Sequence, residues 1–97
     1  MHRFSIGRDE KCDVVLRDAS VSRRHTHLIL RPDRTIQFED ANSTNGSYLI
    51  EGKKPVRISS IYLQPEAHLQ LGKVRVSLAE IMADIRSKIR NECEGDL

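Results

Sequence analysis

Polar and apolar residues alternate in short runs along most of the chain. Phe4-Ser5-Ile6 has the two-residue period of a half-buried strand, and Gly7-Arg8 ends it. After the polar turn Asp9-Glu10-Lys11, residues 12–16 are apolar apart from Asp13, with β-branched Val14 and Val15, and predict a second short strand. Residues 17–20 read as a loop. Over residues 24–31, His25, His27 and Ile29 fall on one face and Thr26, Leu28 and Leu30 on the other. Apolar groups on both faces predict a well-buried strand. Pro32-Asp33-Arg34 turns the chain, because proline presets φ and cannot serve a central strand. Residues 35–39 return with Ile36 and Phe38 on one face. Residues 40–46 form a loop rich in Asn and Ser, and Asn45-Gly46 is a strong turn signal. Strands are predicted again over 48–50, 56–58, 60–64, 68–71 and 74–76, with turns at 51–55, Pro65-Glu66 and Gly72-Lys73. This rhythm predicts an all-β fold, a sandwich or barrel of short antiparallel strands.

The period then changes. Ser77-Leu78-Ala79-Glu80 fits a capping box, with Ser77 as N-cap, and Val76 and Ile81 are spaced for a hydrophobic staple. Ile81, Ile85 and Ile89 recur every four residues, with Leu78 and Met82 beside them. That stripe predicts a C-terminal α-helix over about residues 78–92, with Gly95 beyond its end. The expected division is a β-sandwich over 1–78, then a helix and tail over 79–97 that pack on the sandwich or lead to a neighbouring region.

Ninety-seven residues suffice for one domain. Aromatic residues are only 4% of the chain against 38% hydrophobic, so the core must be built from Val, Ile and Leu. The net charge of +2 is too small for bulk charge to argue for a nucleic-acid partner. Cys12 and Cys93 match no metal-ligand spacing and are expected as unlinked thiols; neither a metal nor a cofactor is expected. The sequence carries no signal-peptide pattern and no transmembrane run, and a cytoplasmic location is expected.

Three short stretches carry candidate chemistry. Gly7 permits close backbone approach, and Arg8 offers a planar fork suited to a phosphate. Ser22, in a loop before a strand, offers a hydroxyl and nearby backbone N–H groups. Arg23 and Arg24 add positive charge on opposite sides, Arg23 toward the ligand. His25 reads as a structural imidazole that ties loops together. In the second loop, Thr44 supplies a hydroxyl, and Asn45 supplies both donor and acceptor for an extended peptide.

Gly7-Arg8, Ser22-x-x-His25 and Ser43-Thr44-Asn45-Gly46 occur in that order, each at a strand–loop junction. The set resembles the forkhead-associated (FHA) domain, a β-sandwich that binds phosphothreonine peptides through loops at one end. The resemblance covers about residues 4–78. It implies that Arg8 and Ser22 hold the phosphate, that Thr44 adds a bond and that Arg23 contacts the phosphopeptide. It gives Asn45 the peptide backbone beside the phosphothreonine, and Gly7, His25 and Gly46 the shaping of the loops. Ser20 stands where some members select the side chain three residues after the phosphothreonine. The chain departs from the family in three places. FHA domains usually have one more strand before the Gly-Arg strand, which Met1-His2-Arg3 cannot supply. Glu51-Gly52 replaces a common Asn-Gly, and the C-terminal helix is an addition.

The expected function is therefore that of a phosphopeptide-binding signalling module, monomeric and without nucleic-acid partners. The alternative is a phosphate-independent FHA-like scaffold or oligomerisation domain of a larger assembly. An enzyme is not expected: Ser22, His25 and Asp40 are the residue types of a hydrolase triad, but no nucleophile elbow or oxyanion-hole motif accompanies them.

Overall fold

Alternation along the strands lines up the apolar residues across them. Phe4, Leu28, Phe38 and Ile61 stand opposite one another on four neighbouring strands, and Leu49, Leu69 and Val76 do the same on three others. Two such faces can leave water only by meeting each other. The computed structural model, which describes residues 2–95 and side chains as far as residue 87, shows that arrangement. One sheet has the order β2-β1-β3-β4-β7, from β1 (His2–Gly7), β2 (Val14–Val15), β3 (Thr26–Leu30), β4 (Ile36–Asp40) and β7 (Ser60–Leu63). The other has the order β6-β5-β8-β9, from β5 (Ser47–Glu51), β6 (Lys54–Ile58), β8 (His68–Leu71) and β9 (Val74–Ser77). All pairings are antiparallel except β1 with β2. Among the described residues Phe38 is the one phenyl ring buried completely; the rest of the core is aliphatic.

Several element boundaries differ from the sequence reading. The first strand begins two residues early, at His2, because His2 and Arg3 pair with Leu30 and Ile29. The second shrinks from five residues to Val14–Val15, since the N–H of Cys12 turns back to the carbonyl of Asp9. The third starts only at Thr26: the N–H of His25 donates to Ile6 and its carbonyl accepts from Ala41, which holds it in the loop system. Pro55, read as a turn residue, lies inside β6, where it is tolerated because that strand is the outermost of its sheet.

The helix α1 spans Leu78–Gly95, so Gly95 belongs to it rather than following it. The Ser77 hydroxyl accepts from the N–H of Glu80 at 3.1 Å, and the Leu78 N–H donates to the carbonyl of Ala67. Among the described residues Glu80 makes no return bond, so only half of the predicted capping box forms. Leu78, Ile81 and Ile85 are buried in the same core as Ile6, Val14 and Leu28. The helix packs against β2 and β9, the edge strands on one side of the sandwich. Ile89 and Cys93 lie outside the residues whose side chains are described; Cys12 is a buried free thiol.

The register fixes what gathers at each end. Ile6, Thr26 and Asp40 lie level in one sheet, and Ser47, Ile58, Leu71 and Val74 in the other. The β1–β2, β2–β3, β4–β5 and β8–β9 connections therefore leave from the same end. The β3–β4, β5–β6 and β7–β8 connections leave from the opposite one.

Candidate functional site

At that first end the loops are tied by hydrogen bonds that run between them. The loop before β3 lies across Gly7 so closely that a Cβ there would sit 2.1 Å from the carbonyl oxygen of Arg23, which only glycine avoids. The N–H groups of Arg8 and Asp9 donate to the carbonyls of Ser22 and Arg23, and the Cys12 thiol also donates to Arg23. Arg23 is thereby pinned by its backbone while its side chain, like that of Arg24, is exposed. The Nε of Arg8 donates to the carbonyl of Val21 at 3.1 Å. Arg8 is exposed, and among the described residues its two terminal nitrogens have no partner.

His25 is fully buried beneath the two main loops. Its Nδ1 accepts from the Ser22 N–H at 3.0 Å, and its Nε2 lies 2.8 Å from the Gly46 carbonyl. An accepting Nδ1 carries no proton, so Nε2 is the protonated nitrogen and the ring is neutral. The Ser22 hydroxyl accepts from the Thr44 N–H at 3.0 Å, and Asn45 Nδ2 donates to the Ser20 carbonyl at 2.8 Å. Gly46 is buried, its N–H donating to the Ser43 hydroxyl. Thr44 and Asn45 themselves are exposed. The structure thus brings Arg8, Ser22, Arg23, Thr44 and Asn45 to one end, with Gly7, His25 and Gly46 beneath or between them.

Ser20 is placed differently. Its hydroxyl donates to the Asp18 carboxylate (2.6 Å) and accepts from the Lys73 N–H (2.8 Å), so it clamps the β2–β3 loop to the β8–β9 turn. Its hydroxyl and N–H hold the Asp18 carboxyl below the usual carboxylate range. Gly72 packs on it so tightly that a Cβ would lie 2.2 Å from the Ser20 carbonyl oxygen.

Sequence reasoning missed the group that holds the second loop. Asp40, at the end of β4, accepts from the hydroxyls of Ser43 and Ser47 and from the Ser43 N–H. Burial pushes its carboxyl up, but these donors outweigh burial and hold it below the usual range. Asp three residues before Ser in a turn-rich segment is a legible local signal. Tyr48, whose hydroxyl donates to the Asn45 carbonyl, carries no such signal. Ser22, His25 and Asp40 do not form a nucleophile–base relay: His25 bonds the backbone N–H of Ser22, not its hydroxyl, and Asp40 is occupied by Ser43 and Ser47. Among the described residues no cluster of metal-binding side chains is present.

Residues 1–82 match the family model described as "Inner membrane component of T3SS, cytoplasmic domain". The FHA domain of CT664 from Chlamydia trachomatis is 31% identical, over 76% of this chain and 71% of that one, at a TM-score of 0.64. The chain belongs to this family of FHA-type domains. The FhaA FHA domain, solved in complex with the intracellular domain of Rv3910, is 28% identical over 77% of each chain, at a TM-score of 0.66. The N-terminal FHA domain of Saccharomyces cerevisiae Rad53p, solved with a phosphothreonine peptide, is 26% identical over 73% of this chain and 56% of that one, at a TM-score of 0.61. A comparison with curated proteins finds no match. FHA domains as a class are phosphothreonine-binding modules rather than enzymes. No helix of the described residues is long and apolar enough to cross a membrane.

Proposed function

We propose that this domain reads phosphothreonine in a partner protein through Arg8, Ser22, Arg23, Thr44 and Asn45. The observation that carries the reading is how the cross-loop bonds leave free valences. The bond from Arg8 Nε to Val21 orients the guanidinium and leaves both terminal nitrogens for a bidentate grip on phosphate. The Ser22 oxygen is an acceptor for Thr44, so its own O–H is free to donate to a phosphate oxygen. The Thr44 hydroxyl adds another bond. Asn45 spends one N–H on Ser20 and keeps its carbonyl oxygen and second N–H for an extended peptide main chain. Gly7, His25 and Gly46 shape the loops, and Ser20 acts on specificity through the loop it clamps.

Charge-assisted bonds contribute about 1.5–3 kcal/mol each. Three or four of them, less the cost of association, correspond to a dissociation constant on the order of micromolar. The domain works in the cytoplasm as a monomer, without nucleic acid, cofactor or catalysis.

The matching family model favours a second reading, a phosphate-independent scaffold within a secretion assembly. One titration separates the two. A degenerate phosphothreonine peptide library, with phosphoserine and unphosphorylated controls, is titrated against wild type and Arg8→Ala. Phosphothreonine-selective binding that disappears in Arg8→Ala establishes the reader. No binding by folded wild type leaves the scaffold.

A further inference from the structure

We propose that Asn45-Gly46 is a self-modification site: Asn45 deamidates through the backbone nitrogen of Gly46 when the loops part, and the carboxylate it becomes keeps them from closing again. The chemistry needs no ligand; its effect on binding rests on the reading above.

Of the three asparagines in the chain, Asn45 is the one followed by glycine. In that pair no Cβ hinders the approach of the next backbone nitrogen to the carboxamide. The Gly46 nitrogen gives up its proton and attacks Cγ of Asn45, so that an N–Cγ bond closes a five-membered imide. The Cγ–Nδ2 bond breaks, and Nδ2 leaves with that proton as ammonia. Water then opens the imide at one carbonyl or the other, leaving aspartate or isoaspartate. Water is the only co-reactant. The turn itself demands the glycine: Gly46 has φ +86°, and a Cβ there would lie 3.0 Å from the Tyr48 hydroxyl oxygen. The residue that shapes the loop is thus the one that makes its neighbour labile.

The fold occupies each group that ring closure must move. The Gly46 N–H donates to the Ser43 hydroxyl at 3.1 Å, and that hydroxyl is itself anchored on Asp40. The Asn45 carbonyl, at the other end of the same peptide unit, accepts from the Tyr48 hydroxyl at 3.1 Å. The leaving nitrogen, Nδ2, donates to the Ser20 carbonyl at 2.8 Å. The Gly46 carbonyl is held by His25 Nε2 and by the Gly72 N–H. Bringing the nitrogen onto Cγ turns the peptide unit and pulls the carboxamide off Ser20, so the first three bonds must break. Asn45 is exposed, and water has access to it once they do.

The product cannot restore the old contact. A carboxylate has no N–H for the Ser20 carbonyl, so two oxygens face each other where a bond tied the two loops. It also places a negative charge next to Thr44, on the loop proposed to take the phosphate. Isoaspartate adds a methylene to the backbone just ahead of the carbonyl that His25 holds.

The test incubates wild type, Ser43→Ala and Tyr48→Phe in mildly alkaline buffer, and wild type also in urea. Peptide mapping by mass spectrometry follows the carboxylate formed at each asparagine. In urea Asn45 should convert first, and about a hundredfold faster than in the native protein, the combined effect of three ordinary hydrogen bonds. Ser43→Ala and Tyr48→Phe, checked as folded by their melting, should each speed native conversion by about three- to tenfold, the effect of one bond. Equal rates in native and unfolded wild type overturn the gating, and no conversion at Asn45 in urea overturns the site. Asn45→Asp, folded by the same check, should bind a phosphothreonine peptide about tenfold or more weakly than wild type in fluorescence anisotropy. Equal binding overturns the effect on the phosphate site. Failure of folded wild type to bind any phosphopeptide overturns the reader, and the rates at Asn45 then still decide the modification.

Discussion

Asp40 touches no ligand atom in the proposed mode of binding, yet the second loop hangs on it. Its carboxylate takes two hydroxyls and one N–H, and the Ser43 hydroxyl passes the connection on to the N–H of Gly46. The native carboxyl titrates below its ordinary value, so the ionised form is the one the fold stabilises. Its contribution is complete above the unfolded value of about 3.9 and is lost as pH falls through the lower native value. Asp40→Asn should therefore cost about 1.5–3 kcal/mol at pH 7, the worth of hydrogen bonds to a charged group. Urea denaturation at pH 7 and pH 3 should show the gap between wild type and variant closing in acid. Asp18 and Asp33, held down by Ser20 and Thr35, weaken both proteins alike there, so the gap and not the absolute stability is the readout. Gly7, Ser22 and His25 were legible in the sequence as a spaced set. Gly72 and Tyr48 were not, because each meets its partner only once the β8–β9 turn or the start of β5 reaches the loops.

At the scale of elements, strand rhythm was legible and strand limits were not. Alternation marks where side chains point, but whether a backbone joins a sheet depends on its neighbour. His2 and Arg3 enter β1 because β3 is long enough to pair with them, and Cys12 leaves β2 because it turns back on Asp9. The helix was legible from its four-residue stripe, but not the surface it covers, since the stripe suits a neighbouring copy as well as this one. In the structure Leu78, Ile81 and Ile85 join the core of their own chain. Ile85→Ala should cost about 2–5 kcal/mol, because a buried side chain is truncated against β-strands that relax only partly. Thermal melts should place the variant below wild type by an amount independent of protein concentration. A midpoint that rises with concentration would instead assign the helix to an interface between copies.

The whole molecule is a sandwich whose binding loops are tied to one another across its two sheets. Each loop at the proposed site is bonded to a different one: His25 to Gly46, Ser22 to Thr44, Asn45 to Ser20, and Ser20 to Lys73. Those loops leave strands of both sheets, so the bonds exist only while the two sheets face each other. Binding competence and the fold should then be lost in one transition, not in two. A ligand that engages only the assembled loops stabilises the entire domain, by about 2.7 kcal/mol when present at a hundred times its dissociation constant. For a chain of this size that corresponds to a rise in melting midpoint of about 10–20 °C. Scanning calorimetry with a tight-binding phosphothreonine peptide should show one transition shifted upward by that amount. The unphosphorylated peptide should leave the midpoint where it was, and Arg8→Ala should melt as a folded protein that no longer responds to phosphate. A phosphopeptide that binds without moving the midpoint would mean that it engages a surface surviving in the unfolded chain, which loops assembled from both sheets cannot provide.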